Sequence, residues 1–480
     1  MNRKQRRAAK PIQKSASDYA HAGNIAHKKG DHLQALECYA QAVSIDPDHH
    51  QNKLRLAYLL KDAKFPTPNP KMKALILNCL ETDGLDHQNL FKPWLSLLLC
   101  DPNFRALQNI MRGEDFSPNK LKSNIQDRFF LAGLGRMNMC DMALENALHT
   151  IYYDVVEGEE KFKPFLQAFE AYGEHSEYVA FRAPPKQKKY KIDSTIVSLS
   201  APESKISKSV AAQYEDNPYP RWTGINVQAA ANTSEKPYDH LVAGCGTGYG
   251  TCATAMLHPN ARIIGVDITL ASLSYAKAKA QELGLNNVEF FQADILSLEP
   301  LEKTFDVIEC SGVLHHMLDP LEGWRSLLTK LKSDGKMSIG LYSELGRADV
   351  VAAREFIEQE GFDSTHDSIR EARQKIYELP ADHPAREVIN RRDFYTMSNC
   401  RDLVFHVQEH RFTISRLQDS LDQLGLKFDG FDIHNAPLLQ QYSLQFPDDP
   451  QRLNLDNWAV FEEHNPTSFR SMYQLWCSRK

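Results

Sequence analysis

The run His240-Leu-Val-Ala-Gly244-Cys-Gly246-Thr-Gly248-Tyr-Gly250 constrains the fold of this 480-residue chain more than any other stretch. A short apolar strand enters a glycine cluster, and the helical pattern Thr251 to His258 follows at once. Glycine lacks a Cβ, so Gly244, Gly246 and Gly248 can take positive φ, and a ligand can lie directly against N–H groups at the start of the next helix. Such a turn cradles a nucleotide. Ala261-Arg-Ile-Ile-Gly-Val-Asp267 then reads as a second buried strand, ending in a carboxylate about 20 residues on, where an acid gripping a ribose is expected. The spacing selects among nucleotides. A dinucleotide turn is G-x-G-x-x-G, which would place glycine where Tyr249 stands, so NAD is disfavoured.

The G-x-G-x-G turn, Asp267, and Gln292-Ala-Asp294-Ile295 after a third strand (Val288 to Phe291) together resemble class I S-adenosylmethionine-dependent methyltransferases. The resemblance runs from about Asp239 to Tyr342. Within it, Thr304 to Met317 resembles the fourth strand and active-site loop, and Leu331-Lys-Ser-Asp-Gly335 the turn into a fifth strand from Lys336 to Tyr342. The implied fold class is α/β, a Rossmann-like parallel sheet covered on both faces by helices. The implied cofactor is S-adenosylmethionine, held by Gly244, Cys245, Gly246, Thr247, Gly248, Asp267, Ile268, Asp294, Ile295 and Ser311. Asp267 would accept from both ribose hydroxyls, and Asp294 from the adenine amino group with Ile295 against the ring. Cys245 reads as a small residue packed beneath the ligand rather than a reactive thiol. Val242 departs from the pattern, because the family often has an acid two residues before the first glycine. Arg221 is the candidate for the cofactor's carboxylate, and Tyr219 for covering the reacting centre.

Methyl transfer from a sulfonium needs in-line positioning and exclusion of water, with a base only if the nucleophile arrives protonated. His315, His316 and Tyr219 are the catalytic candidates. His406, Glu409 and His410 stand at helical i, i+3 and i+4 spacing, but no further histidine or cysteine signature accompanies them, so no metal is expected. His410 and Arg411 read instead as lining the pocket.

The chain is long enough for two or three cores. A tetratricopeptide-like signature lies between Ala16 and His49, with Gly23, Ala26, Gly30, Ala35, Tyr39, Ala42 and Pro47 at its offsets. One repeat cannot bury its own face, so Leu54 to Lys64 and Lys71 to Glu81 are expected to complete a stack. The boundaries read as a basic tail at 1–14, an α-helical tetratricopeptide-like domain at 15–180, and a lysine-rich linker at 181–210. The sheet core follows at 211–345, a helical insertion at 346–411 beside the strand ends, and the completion of the sheet at 412–480. The helical domain joined to the aromatic string Tyr214 to Trp222 and the sheet resembles a group of bacterial proteins of that architecture. Asn217-Pro-Tyr-Pro has the composition of the N-P-P-Y loop of amino-directed DNA methyltransferases. The residue order differs, however, and the position after the fourth strand reads Ser311-Gly-Val-Leu.

A formal charge of -6 gives no basic surplus for nucleic acid, so none is expected as a partner. Nine scattered cysteines without a C-x-x-C pair suit a reducing cytoplasm. No apolar run approaches the roughly 18 residues of a membrane span. The expected function is therefore methyl transfer with a helical domain that recruits a protein partner or substrate. The alternative is a scaffold that binds cofactor without catalysis.

Overall fold

The structure is a computed structural model, and it describes residues 14–156, 160–177, 192–202, 204–216, 218, 222, 224–225 and 236–480. The chain divides into two compact units, Met1–Met137 and Asn138–Lys480.

In the second unit, eight strands form one sheet among the described residues: β1 (Val197–Ser198), β2 (Tyr238–Ala243), β3 (Ala261–Asp267), β4 (Val288–Gln292), β5 (Phe305–Ser311), β6 (Leu331–Leu341), β7 (Leu426–Phe431) and β8 (Tyr473–Arg479). Their spatial order is β1-β4-β3-β2-β5-β6-β8-β7. Strands β1 to β6 pair in parallel, and β8 runs antiparallel to both β6 and β7. After β1 at the edge, the chain passes to β2 in the middle, winds outward through β3 and β4, then crosses back to β5 and β6. The carboxyl ends of β2 and β5 therefore flank the point where the winding reverses, and such a crevice is where open α/β sheets bind ligands.

The strand pattern explains the two-sided cover. Five of the six residues of β2 are buried. Leu241 and Ile264 enter a core with Phe305, Ile308, Trp324 and Met337, whereas Val242 and Ile263 enter another with Tyr275, Phe290 and Trp222. Alternation along each strand sends neighbouring residues to opposite faces.

Strand β6 begins earlier than the sequence suggests. Phe305 pairs with Leu331 and Val307 with Lys336, so the glycine-containing stretch expected as a turn is an irregularity inside the strand.

The insertion has its own core, built from the helices Ala348–Glu360, His366–Glu378 and Met397–Phe405. Met142 belongs to that core. Arg373 Nη2 lies 2.7 Å from Glu145 Oε2, with both side chains nearly inaccessible, and Tyr172 donates to Glu145 at 2.8 Å. Ser398 donates through its N–H and its hydroxyl to Glu177. The helices Met142–Thr150 and Lys163–Ser176 are thus built into the sheet-bearing unit, and the division falls after Met137 rather than near residue 180.

In the first unit, the helices Ala16–Lys28 and His32–Ile45 pack with Gly23 under the Tyr39 ring, where a Cβ would lie 2.7 Å from Cε1. Further helices follow, including His50–Leu60, Pro70–Leu80 and Phe91–Cys100. Trp94 is fully buried and donates its indole N–H to the Phe129 carbonyl at 2.8 Å. No helix among the described residues is long and apolar enough to cross a membrane.

Candidate functional site

A cavity of about 440 Å³ opens at the carboxyl ends of β2 and β5. The glycine turn forms one wall. Gly244, Gly246 and Gly248 have φ of 71°, 52° and 80°, which side chains rarely adopt. Two of them also answer a packing need. A Cβ on Gly244 would meet Val313 at 2.2 Å, and one on Gly248 would meet Ala276 at 2.6 Å. The Val266 carbonyl accepts from the N–H groups of Gly244 and Cys245, which folds the turn back over β3.

Asp267 ties the turn to the next strand. Its Oδ2 accepts from the Gly246 N–H at 2.8 Å, and its Oδ1 from the Thr269 N–H and hydroxyl at 3.0 and 2.9 Å. Burial raises its carboxyl above the usual carboxylate range, against the lowering effect of those donors. The sequence suggested that both oxygens would be given to a ribose. Each instead carries a protein donor already, so only the remaining lone pairs are open to a ligand. Asp294 lines the same cavity, accepting from Leu296 N–H at 3.0 Å while its own N–H donates to Ser200 Oγ at 3.0 Å.

Of the residues expected at the cofactor, Gly244, Cys245, Gly246, Asp267, Ile268, Asp294, Ile295 and Ser311 line the cavity. Thr247 and Gly248 do not. Thr247 is fully buried, its carbonyl accepting from Trp222 Nε1 at 3.0 Å, and Gly248 backs onto the helix Leu270–Glu282. Trp222 also contacts the rings of Tyr249 and Tyr275, so this part of the aromatic string is seated on the turn. Tyr219 and Arg221 lie outside the described residues. Burial pushes the Cys245 thiol well up, in keeping with packing rather than reactivity.

The two histidines expected at the reacting centre separate. His315 does not line the cavity; it is fully buried and stacks on Tyr342 at 3.7 Å. Burial drives its basicity far down. His316 lines the cavity, donates through Nδ1 to the Gln408 carbonyl at 2.7 Å and so bears its lone pair on Nε2. Burial lowers its pKa to about 4.

The helical triplet expected at 406, 409 and 410 does not form, because the helix ends at Phe405 and His406 is already extended. Glu409 instead makes a two-pronged pair with Arg347 at 3.0 and 2.7 Å. His410 Nε2 lies 3.1 Å from the Leu318 carbonyl and Arg411 Nε 3.3 Å from Glu344, so neither lines the cavity. A different cluster appears in their place. Ligand-type atoms of His316, Asp402 and His406 lie within 4.8 Å of one another, all three residues buried. The Gln408 N–H donates to His406 Nδ1 at 3.1 Å, which leaves the ring proton on Nε2, 4.0 Å from Asp402 Oδ1. A metal bound through Nε2 of His406 would need the opposite tautomer, which the Gln408 N–H on Nδ1 disfavours.

Asp402, Tyr342 and Glu309 are lining residues that the sequence did not single out, and Tyr214, at the start of the aromatic string, lines the cavity with them. Tyr214 donates its hydroxyl to Asp402 Oδ1, and burial, with this bond opposing it, lifts the Asp402 carboxyl to about 7. Glu309 is the register partner of Val242 on the adjacent strand, and both line the cavity. A carboxylate thus stands one strand over from the position where the sequence lacks one. The i, i+4 spacing of Asp402 and His406 was the available signal for the first; nothing local marked the second.

Residues 236–360 match a family model described as a methyltransferase domain. An uncharacterized protein of Synechococcus sp. is 29% identical over 272 residues, covering 50% of this chain and 65% of that protein. The uncharacterized methyltransferase YcgJ of Bacillus subtilis is 34% identical over 113 residues, covering 24% of this chain and 45% of its own length. The chain therefore spans less than two thirds of these relatives. The solved structure of PKMT2 from Rickettsia typhi in complex with AdoHcy aligns with a TM-score of 0.41 at 17% identity, covering 51% of this chain and 49% of that one.

Proposed function

We propose that this chain, which carries a methyltransferase domain, is an S-adenosylmethionine-dependent methyltransferase of class I type. One observation carries the reading: the glycine turn, Asp267 and Asp294 meet on a single cavity at the reversal point of the sheet. Where the cofactor is bound, it supplies an activated methyl group on a sulfonium. The remaining work belongs to the protein. Gly244 and Gly246 offer a surface without side chains for the ligand to approach. Asp267 receives the ribose on the lone pairs left over from Gly246 and Thr269, and Asp294 with Ile295 takes the adenine. Glu309 supplies the carboxylate for the cofactor's ammonium, in place of an acid at position 242.

The helices Ala16–Lys28 and His32–Ile45 act as a tetratricopeptide-type surface that recruits a protein partner or substrate. The supports are the glycine under Tyr39 and a second cavity of about 410 Å³ lined by Ala20, His21, Asn24, Asp46, His49 and Arg55. The cytoplasm is the proposed location.

The test is transfer of tritium from methyl-labelled S-adenosylmethionine into a cell lysate by the full chain. Stoichiometric binding followed by label transfer supports an enzyme. Binding without transfer supports a scaffold and sinks the catalytic reading.

A further inference from the structure

Part of the cavity wall is built from residues to which the reading above gives no part in holding the cofactor. Tyr214, His316, Tyr342 and Asp402 line it, and Asp402 is the only described residue of the insertion that does so. Asp402 is nearly inaccessible from outside. Its Oδ1 accepts from Tyr214, and among the described residues its Oδ2 has no hydrogen-bond partner. Several described groups act on it. His406 turns a protonated Nε2 toward it from 4.0 Å, Asp393 and Glu409 raise its affinity for a proton, and Arg347, held by Glu409, lowers it. Tyr342 lies under the Arg347 guanidinium at 3.7 Å and remains a neutral phenol, its pKa raised by burial. His316 is neutral, and a proton placed on it would be lost at once at neutral pH.

Resting on the methyltransferase reading, we infer that Asp402, oriented by Tyr214, accepts the proton that the acceptor loses on methylation, so the acceptor enters as a hydroxyl or amine that still carries its hydrogen. In that step the acceptor's oxygen or nitrogen lone pair forms the bond to the methyl carbon, in line with the breaking C–S bond. The C–S electron pair stays on sulfur, giving the neutral thioether. The acceptor's proton passes to Asp402 Oδ2 and leaves to solvent before the next turnover. A carboxylate acceptor brings no proton and would be repelled by Asp402; its product would be a methyl ester. The Asp402 carboxyl titrates near 7, a match to a base working at neutral pH.

The experiment uses the full chain, methyl-tritiated S-adenosylmethionine and a cell lysate, with wild type, Asp402→Asn and Tyr214→Phe compared from about pH 5 to 9. Binding of S-adenosylhomocysteine is measured alongside by calorimetry. The expected result is that Asp402→Asn binds S-adenosylhomocysteine like wild type yet transfers label about a hundredfold more slowly. Wild-type transfer falls as pH drops through about 7. Tyr214→Phe moves that acid limb to higher pH, because it removes the hydrogen bond that favours the carboxylate. Transferred label resists mild alkali. Should Asp402→Asn not fold, the wild-type acid limb and its displacement in Tyr214→Phe decide the matter. Transfer by Asp402→Asn at near wild-type rate, an acid limb unmoved by Tyr214→Phe, or label released by alkali as methanol each overturns the inference while leaving the methyltransferase reading intact. A wild type that binds no S-adenosylhomocysteine, or transfers no label, overturns both.

Discussion

Two carboxylates on the wall of one cavity, Asp267 and Asp402, are treated in opposite ways. Asp267 is surrounded by donors: the Gly246 N–H, the Thr269 N–H and the Thr269 hydroxyl all point at it. Among the described residues Asp402 has one donor, Tyr214, with two further acids acting on it. The first is a structural tie that also lines the cavity. The second is left partly unsatisfied, which costs stability but leaves an oxygen available to a proton. On the proposed reading, the difference separates the part of the site that holds from the part that reacts.

The sharpest break in the comparison is on the holding side. Gly248→Val would force a branched side chain into positive φ and against the Cα of Ala276, 3.1 Å from the added Cβ. A loss of about 4 kcal/mol is expected, from backbone strain and overpacking together, read by chemical denaturation.

Asp402→Asn should do the reverse. The folded carboxyl titrates near 7, above its ordinary 3.8. A raised acid pKa means the folded state binds more protons than the unfolded state between these limits. The penalty is therefore absent at low pH, grows as pH rises from about 4 to 7, and is constant above that. The amide removes it, so the variant should be more stable than wild type by about 2–3 kcal/mol at pH 8 and indistinguishable near pH 4. Denaturation at the two pH values checks this, and equal stability at pH 8 would mean that the site is well solvated.

Asp267→Ala should instead destabilise by about 2 kcal/mol, because two buried N–H groups lose their acceptor, and should also weaken cofactor binding. A stable variant with lost affinity would mean that the tie is unimportant and the acid serves ligand alone.

The holding side was legible in the chain because it is local. Strand β2, the glycines and the end of β3 lie within about 30 residues, as expected of one strand-helix-strand unit, and glycine spacing reports backbone conformation directly. Only the split between lining and packing glycines needed the fold, since Val313 and Ala276 are distant in sequence. The reacting side was not legible. Tyr214 and Asp402 are 188 positions apart, and the stacked rings of His316 and His406 come from a loop and a helix end. Reading His406 to His410 as one helical face failed because the helix stops at Phe405, where the chain turns to let Gln408 fix both imidazoles. The helices from Met142 to Ser176 resemble their N-terminal neighbours in composition. Their place is set by Glu145 and Arg373, a pairing that no local pattern reports.

Glu309→Gln is the mildest test. It keeps the shape of a residue in register with Val242 on the adjacent strand, so stability should hold while affinity for S-adenosylmethionine falls by about tenfold. Equal affinity would return the ammonium to other groups.

The most direct measurement is calorimetric titration of the full chain with S-adenosylmethionine, S-adenosylhomocysteine and NAD in turn. One-to-one binding of the first two and none of the third is the result expected from the G-x-G-x-G turn. Binding of NAD, or of neither adenosyl compound, would contradict it.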